Sequence, residues 1–308
     1  VLTTPIIRCA KQQLKGTEIH FVTKEVYKDT LINNPNIDKL ITFKNDVTEI
    51  YSELINEKYD VIIDLHKNLR SLRLKQLLKT KSFSYNKLNI SKFFAVKFKI
   101  KNCLPKKHIV ERYFEAIANI GVNNDGKGLD YFLNENDKIN CADLFFKSEP
   151  TKFIALVVGG SYYTKQIPLH KLKEICKNVT MPVVLLGGKS DMLIADELQK
   201  SFPKLINACG NFSLNQSASI IKQAEWVVTS DTGLMHIAAA YFKKIISVWG
   251  NTIPEFGMSP YMPTTENLIL EVKKLSCRPC SKLGYKKCPK GHFKCMNEID
   301  FLVISKLN

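Results

Sequence analysis

Four short runs in the second half of the chain are almost wholly apolar. Each stops at a loop rich in glycine, serine or aspartate. Residues 153–158 lead into Gly159-Gly160-Ser161, and 183–186 lead into Gly187-Gly188 and a helical pattern over 192–202. Residues 226–229 lead into Ser230-Asp231-Thr232-Gly233 and a helical 234–241, and 245–249 lead into Gly250-Asn251-Thr252. A half-buried strand alternates apolar and polar residues, whereas a run apolar at every position is covered on both faces. Strands of that kind, alternating with helices, specify a parallel sheet wound on both sides by helices. The first half shows a weaker version. Residues 19–23, 39–43 and 60–65 are expected as strands, and 5–14, 47–58, 68–79 and 108–120 as helices, with Leu69, Leu72, Leu74, Leu77 and Leu78 on one stripe.

The fold expected is therefore α/β, with two Rossmann-like doubly wound domains facing across a cleft. Turn residues at 123–128 and a charged stretch over 134–150 mark the seam, dividing the chain into 1–148 and 149–308. A length of 308 residues suits two such domains. A doubly wound domain begins with a strand, yet this sequence begins at a helix start, with Val1 rather than Met. The first strand is expected just upstream. No apolar run approaches the 18 or so residues needed to cross a bilayer.

Forty-five basic residues against 29 acidic ones give a net charge of +16. Only five of the basic residues are Arg, which leaves 45 − 5 = 40 Lys spread along the chain. Readers of nucleic acid concentrate Arg where bidentate contacts are made, and no helix-turn-helix or RNA-binding aromatic motif is present. The charge then reads as a basic solvated surface, or as attraction to phosphates or an acidic membrane face. Of nine cysteines, five stand singly, as reduced thiols do, and four crowd into 277–295.

Ligands of open parallel sheets sit beyond the carboxyl ends of the strands, where all four second-half loops fall. Backbone amides and the positive end of a helix dipole there bind phosphate. In the segment from Ser230 to Ala240, the strand tip delivers Asp231 to accept hydrogen bonds from sugar hydroxyls. Thr232 is placed to cap the helix and to offer its hydroxyl to a phosphate, and Gly233 leaves room above the first turn. His236 lies one turn on, toward the same ligand. The plainer alternative is a capped helix with a solvated Asp and a structural His.

This segment, continued through Trp249-Gly250-Asn251-Thr252-Ile253-Pro254-Glu255-Phe256-Gly257, resembles glycosyltransferase family 9, the ADP-heptose:lipopolysaccharide heptosyltransferases. Val1-Leu2-Thr3-Thr4-Pro5, the stretch from Asp60 to Arg70 and the cysteine-bearing tail are similar to the same family. The resemblance implies a GT-B arrangement, with nucleotide sugar on the second domain and acceptor on the first. It implies inverting transfer of heptose from ADP-heptose to the lipopolysaccharide inner core. Asp231, Thr232, Gly233 and His236 match the motif that holds sugar and diphosphate. Gly160, Ser161, Thr164 and Lys165 fall in the family's phosphate loop, Lys165 stabilising charge on the leaving ADP. Ile167 stands where the family carries a bulky aromatic. The family's general base is an Asp in the loop directly before Val1, so that role is expected upstream and is not reassigned to Asp64.

The loop after 60–65 offers His66, Asn68, Arg70 and Arg73 to acidic core sugars or lipid A phosphates, the alternative being a helix cap with exposed charge. His108 and Arg112 are weaker candidates. Cys277, Cys280, Cys288 and Cys295 form a single CxxC pair and two further thiols. Structural zinc, reduced thiols and a disulfide all remain open, while the transfer chemistry implied by the family needs no cofactor. The expected partners are ADP-heptose, a lipid A–core acceptor and the inner membrane touched peripherally from its cytoplasmic face, with no nucleic acid. Two alternatives stay in view: the same fold using another nucleotide sugar, and a non-catalytic binder of nucleotide or nucleic acid.

Overall fold

The computed structural model describes residues 1–149 and 151–307. In chain order the first half carries α1 (Thr4–Gln13), β1 (His20–Lys24), β2 (Lys39–Phe43), α2 (Tyr51–Asn56), β3 (Ile62–Asp64), α3 (Leu69–Leu78), β4 (Ser82–Ser84), α4 (Asn89–Lys97) and α5 (Ile109–Ile117). The second carries α6 (Cys141–Phe145), β5 (Ile154–Val157), α7 (Leu169–Asn178), β6 (Val183–Leu186), α8 (Met192–Ser201) and β7 (Ile206–Asn207). It continues with α9 (Leu214–Gln223), β8 (Trp226–Ser230), α10 (Gly233–Ala240), β9 (Lys244–Trp249), β10 (Leu268–Glu271) and α11 (Lys294–Asn297).

The chain packs as two compact units, one of residues 1–88 and 107–132, the other of 89–106 and 133–308. This division differs from a seam at 148/149 for two local reasons. The stretch from 133 is tied to α9: Asn215 Nδ2 donates to Asp137 and the Ile139 amide to Ser219 Oγ. Helix α4 buries Ala95 against Leu104, Ile253 and Phe256, so a piece of the first half belongs to the second unit's core.

The second unit holds a six-stranded, wholly parallel sheet in the order β10-β9-β8-β5-β6-β7. Strands β5 and β6 are buried at every residue, as their uninterrupted apolar runs require. The strand order reverses between β5 and β8, which sets the switch point of the sheet there. Helix α10 packs closely among its neighbours because Ala238, Ala239 and Ala240, all buried, carry only methyl groups.

The first unit pairs its four strands two by two. β1 runs parallel to β2 and β3 parallel to β4, and no strand among the described residues joins the pairs. Ile41, Phe43, Val47, Ile50 and Leu54 form a small core beside the first pair. The expected helix over 47–58 is a short 3-10 turn, Val47–Ile50, running into α2, with Asp46 and Glu49 closing a capping box at its start. The leucine stripe of α3 is also split. Leu74 and Leu78 pack on the small core, while Leu69 and Leu72 face water.

Candidate functional site

Because β5, β8 and β9 are adjacent and parallel, the loops leaving their carboxyl ends come together at the switch point. The loop after β8 supplies Asp231. Its Oδ2 lies 2.6 Å from Lys165 Nζ of the loop after β5, and both side chains are largely buried. The same oxygen accepts a 3.0 Å hydrogen bond from Thr252 Oγ1 of the loop after β9. Three loops, far apart in sequence, thus converge on one carboxylate. Lys165 also reaches the Asp231 carbonyl at 3.4 Å.

Around this centre are polar groups that the fold leaves unmet. Ser230 Oγ and both amide atoms of Asn251 are buried with no hydrogen-bond partner among the described residues. A buried polar atom without a partner costs about 1–3 kcal/mol, so three such atoms at one strand edge point to a polar ligand. Thr232 occupies the cap position of α10, but its side chain does not cap the helix. Its hydroxyl instead shares a 3.0 Å hydrogen bond with Thr229 Oγ1. This corrects the expectation of a Thr cap and leaves the first amides of α10 without a side-chain acceptor. Nothing lies within 4 Å of where a Gly233 side chain would begin, so the space above that turn is open. His236 is buried one turn along α10.

Two glycines here are demanded by close approach. A side chain on Gly159 would run into the Asp191 carboxylate, which also accepts the Gly188 amide at 2.8 Å. One on Gly250 would meet the Thr164 carbonyl at 2.9 Å and Met296 at 2.6 Å. Gly160 is held by Gln166 Nε2 on its carbonyl, and Ser161 is exposed at the turn.

The profile of glycosyltransferase family 9 (heptosyltransferase) matches residues 47–287, more than three-quarters of the chain. The chain belongs to glycosyltransferase family 9. The lipooligosaccharide heptosyltransferase 2 of Haemophilus influenzae is 33% identical over 91 residues, covering 28% of this chain and 26% of that protein. The Haemophilus ducreyi counterpart is similar over 27% of its length, so this chain spans about a quarter of those two relatives. The Campylobacter jejuni lipooligosaccharide heptosyltransferase 2 aligns over 97% of this chain and 90% of its own length at 23% identity. Among solved structures, a glycosyl transferase family 9 protein of Veillonella parvula superposes with a TM-score of 0.72 at 22% identity, over 88% of this chain and 82% of that one. The E. coli ADP-heptose lps heptosyltransferase II superposes with a TM-score of 0.67 at 16% identity, over 100% and 96%. These likenesses show the fold: α/β, of the Rossmann-like GT-B type expected from the sequence.

In this family 9 chain the first-unit loop after β3 is occupied with itself. Asp64 accepts the amides of His66 at 3.0 Å and Lys67 at 2.6 Å and pairs with Lys75 at 2.9 Å. Burial alone would raise its pKa, but the Lys67 amide and Lys75 outweigh that and hold it below the ordinary carboxylate value. Asn68 and Ser71 cap α3 reciprocally, so the side-chain oxygen of Asn68 already serves the helix. His66 is exposed, beside Asn68 Nδ2 at 3.2 Å. Arg73 is exposed and 3.9 Å from Asp46, whereas Arg112 is fully buried beneath the Asn86 carbonyl. His108 caps α5.

The tail acts on the rim by a route the sequence did not reveal. Arg278, between the cysteines of the CxxC pair, is fully buried. Its guanidinium donates to the carbonyls of Gly250, Thr252 and Val272 and pairs with Glu271 at 3.0 Å, clamping the loop that presents Thr252 to Asp231. The Cys280 amide adds a bond to the Asn251 carbonyl. Tyr285 takes up the Thr164 hydroxyl, which accepts its amide at 2.8 Å. Thr164 is therefore a brace of the loop after β5, because its oxygen is already engaged. Cys277, Cys280, Cys288 and Cys295 are free thiols, and no group of three or more His, Cys, Asp or Glu among the described residues is arranged to hold a metal. Burial pushes the Cys280 thiol up to about 11 and the Cys295 thiol up to about 12.

Proposed function

We propose that this chain transfers heptose from ADP-heptose to the inner core of lipopolysaccharide, by direct displacement with inversion. The observation that carries the reading is the Lys165–Asp231–Thr252 convergence at the switch point, ringed by the unmet Ser230 and Asn251 side chains. Without ligand, ammonium and carboxylate neutralise one another. A bound nucleotide sugar divides them: the diphosphate takes Lys165, and sugar hydroxyls donate to Asp231 with His236 alongside. As the anomeric carbon–oxygen bond breaks, negative charge grows on the departing ADP. Lys165 and the uncapped amides at Thr232 and Gly233 are already positioned to stabilise it. Gly160 and Ser161 shape the diphosphate side of the rim, with Thr164 holding their loop.

In this reading residues 149–308 bind the donor and 1–148 the acceptor, whose acidic sugars and phosphates meet His66, Arg70 and Arg73. Asn68 contributes by fixing α3 beneath them. A carboxylate of the kind the family uses as general base takes the acceptor's proton, and Asp64 is not assigned that role. The setting is the cytoplasmic face of the inner membrane, touched peripherally, and no helix among the described residues is long and apolar enough to cross one.

Calorimetry tests the donor site. ADP-heptose is expected to bind Asp231→Ala about a hundredfold more weakly than the parent chain, from lost charge-assisted hydrogen bonds. ADP alone should lose much less, because Asp231 addresses the sugar. Unchanged ADP-heptose affinity would overturn the assignment, and tighter binding of a UDP- or GDP-sugar would move it to another donor.

A further inference from the structure

Helix α4 is attached by one narrow face, through Ala95 and its neighbour Val96. On the other side Ile90, Phe93, Phe94 and Phe98 follow the i, i+3, i+4, i+8 spacing of an apolar stripe, Phe98 continuing the helix through its amide bond to the Phe94 carbonyl. Helices normally bury such a stripe, yet these side chains are 74%, 52%, 40% and 55% exposed. The three rings gather with centroids 6.0, 6.1 and 5.6 Å apart, and Ile100 extends the patch.

The stretch of chain that carries it holds charge of one sign. Between Asp64 and Glu111 lie 46 residues with no acid and thirteen Lys or Arg. Of these, Lys97, Lys99, Lys101 and Lys106 lie in or just beyond α4, and none forms an ion pair among the described residues. Lys99 bonds only the Val96 and Pro279 carbonyls, which leaves its charge uncompensated.

We propose that this face of α4, with the turn over 98–101, seats on an anionic lipid bilayer. The rings and the two isoleucines enter the boundary between headgroups and acyl chains, and the lysines meet headgroup phosphates. Nine residues cannot span a bilayer, so the helix lies in the surface plane. A second copy of the chain is a poorer occupant, because a face-to-face pair would oppose the same lysines. The inference rests on the proposed function in one respect, that a lipid-linked acceptor supplies the surface.

Co-sedimentation of the whole chain with vesicles tests it. Vesicles of phosphatidylcholine with about one-third phosphatidylglycerol should retain the protein at low salt, and pure phosphatidylcholine should not. Phe93→Ser with Phe98→Ser, and separately Lys97→Gln with Lys101→Gln, should each weaken retention about tenfold. Both pairs should leave thermal unfolding and ADP-heptose affinity unchanged, since the altered side chains stand in water. Equal retention of parent and variants, equal binding to neutral vesicles, or a dimer abolished by the phenylalanine pair would overturn the proposal. If ADP-heptose does not bind but the vesicle results hold, the donor reading falls and the surface assignment stands.

Discussion

Two strand–loop–helix junctions carry an aspartate at the strand tip, β3–α3 in the first unit and β8–α10 in the second, and they use it in opposite ways. Asp64 serves its own loop: its Oδ1 accepts two amides within three residues, its Oδ2 pairs with Lys75 of the following helix, and Asn68 closes the helix end. Asp231 takes its partners from two other loops, and its neighbour Thr232 leaves the helix uncapped. The first arrangement draws its partners from its own loop and the helix that follows. The second holds a carboxylate, an ammonium and several unmet polar atoms in place by means of Arg278 and Tyr285, from outside the loop. A locally self-sufficient junction stabilises the fold, whereas one satisfied from a distance is held ready for something else.

The sharpest way to break this comparison is Asp64→Asn. It removes charge-assisted bonds to Lys75 and two amides, and should cost about 2–3 kcal/mol in thermal or urea unfolding with ADP-heptose affinity unchanged. Asp64 sits below its ordinary value of 3.8 in the fold, so its contribution is full above that pH and is lost as pH falls through the lowered value. The parent chain should therefore lose stability below about pH 4 more steeply than the variant. A fall in donor affinity instead would erase the distinction between the junctions.

Thr252→Val should act the other way round. Loss of its hydrogen bond to Asp231 is expected to weaken ADP-heptose binding about tenfold by calorimetry, with a change in unfolding midpoint near zero. The smallest effect belongs to Asn68→Ala, which should cost about 1 kcal/mol of stability through the lost helix cap and nothing in donor affinity.

Much of the second unit was legible from residue order. The strand over 183–186 matches β6 at both ends, and all four apolar runs became members of one parallel sheet. An every-residue apolar run admits few other fates. The short strands β4 and β7 were missed because two or three residues carry no periodicity, and the leucines of α3 misled because spacing does not say which neighbour is present to cover a face. Asp231 and Gly233 were found as candidates from the loop chemistry, and Lys165 only through the resemblance to the family. Thr252 in its supporting role, the Arg278 clamp and the diversion of Thr164 to Tyr285 were not, since each depends on partners from 21 to 121 residues away.

By itself the sequence determined the α/β class, the parallel sheet and the strand ends at which chemistry would gather. Local apolar pattern and loop composition settle these through burial and backbone geometry. Only the tertiary structure decided which polar groups satisfy one another and which are left over. Hydrogen bonds and ion pairs act over about 3 Å in space, and only folding determines which distant loops come that close.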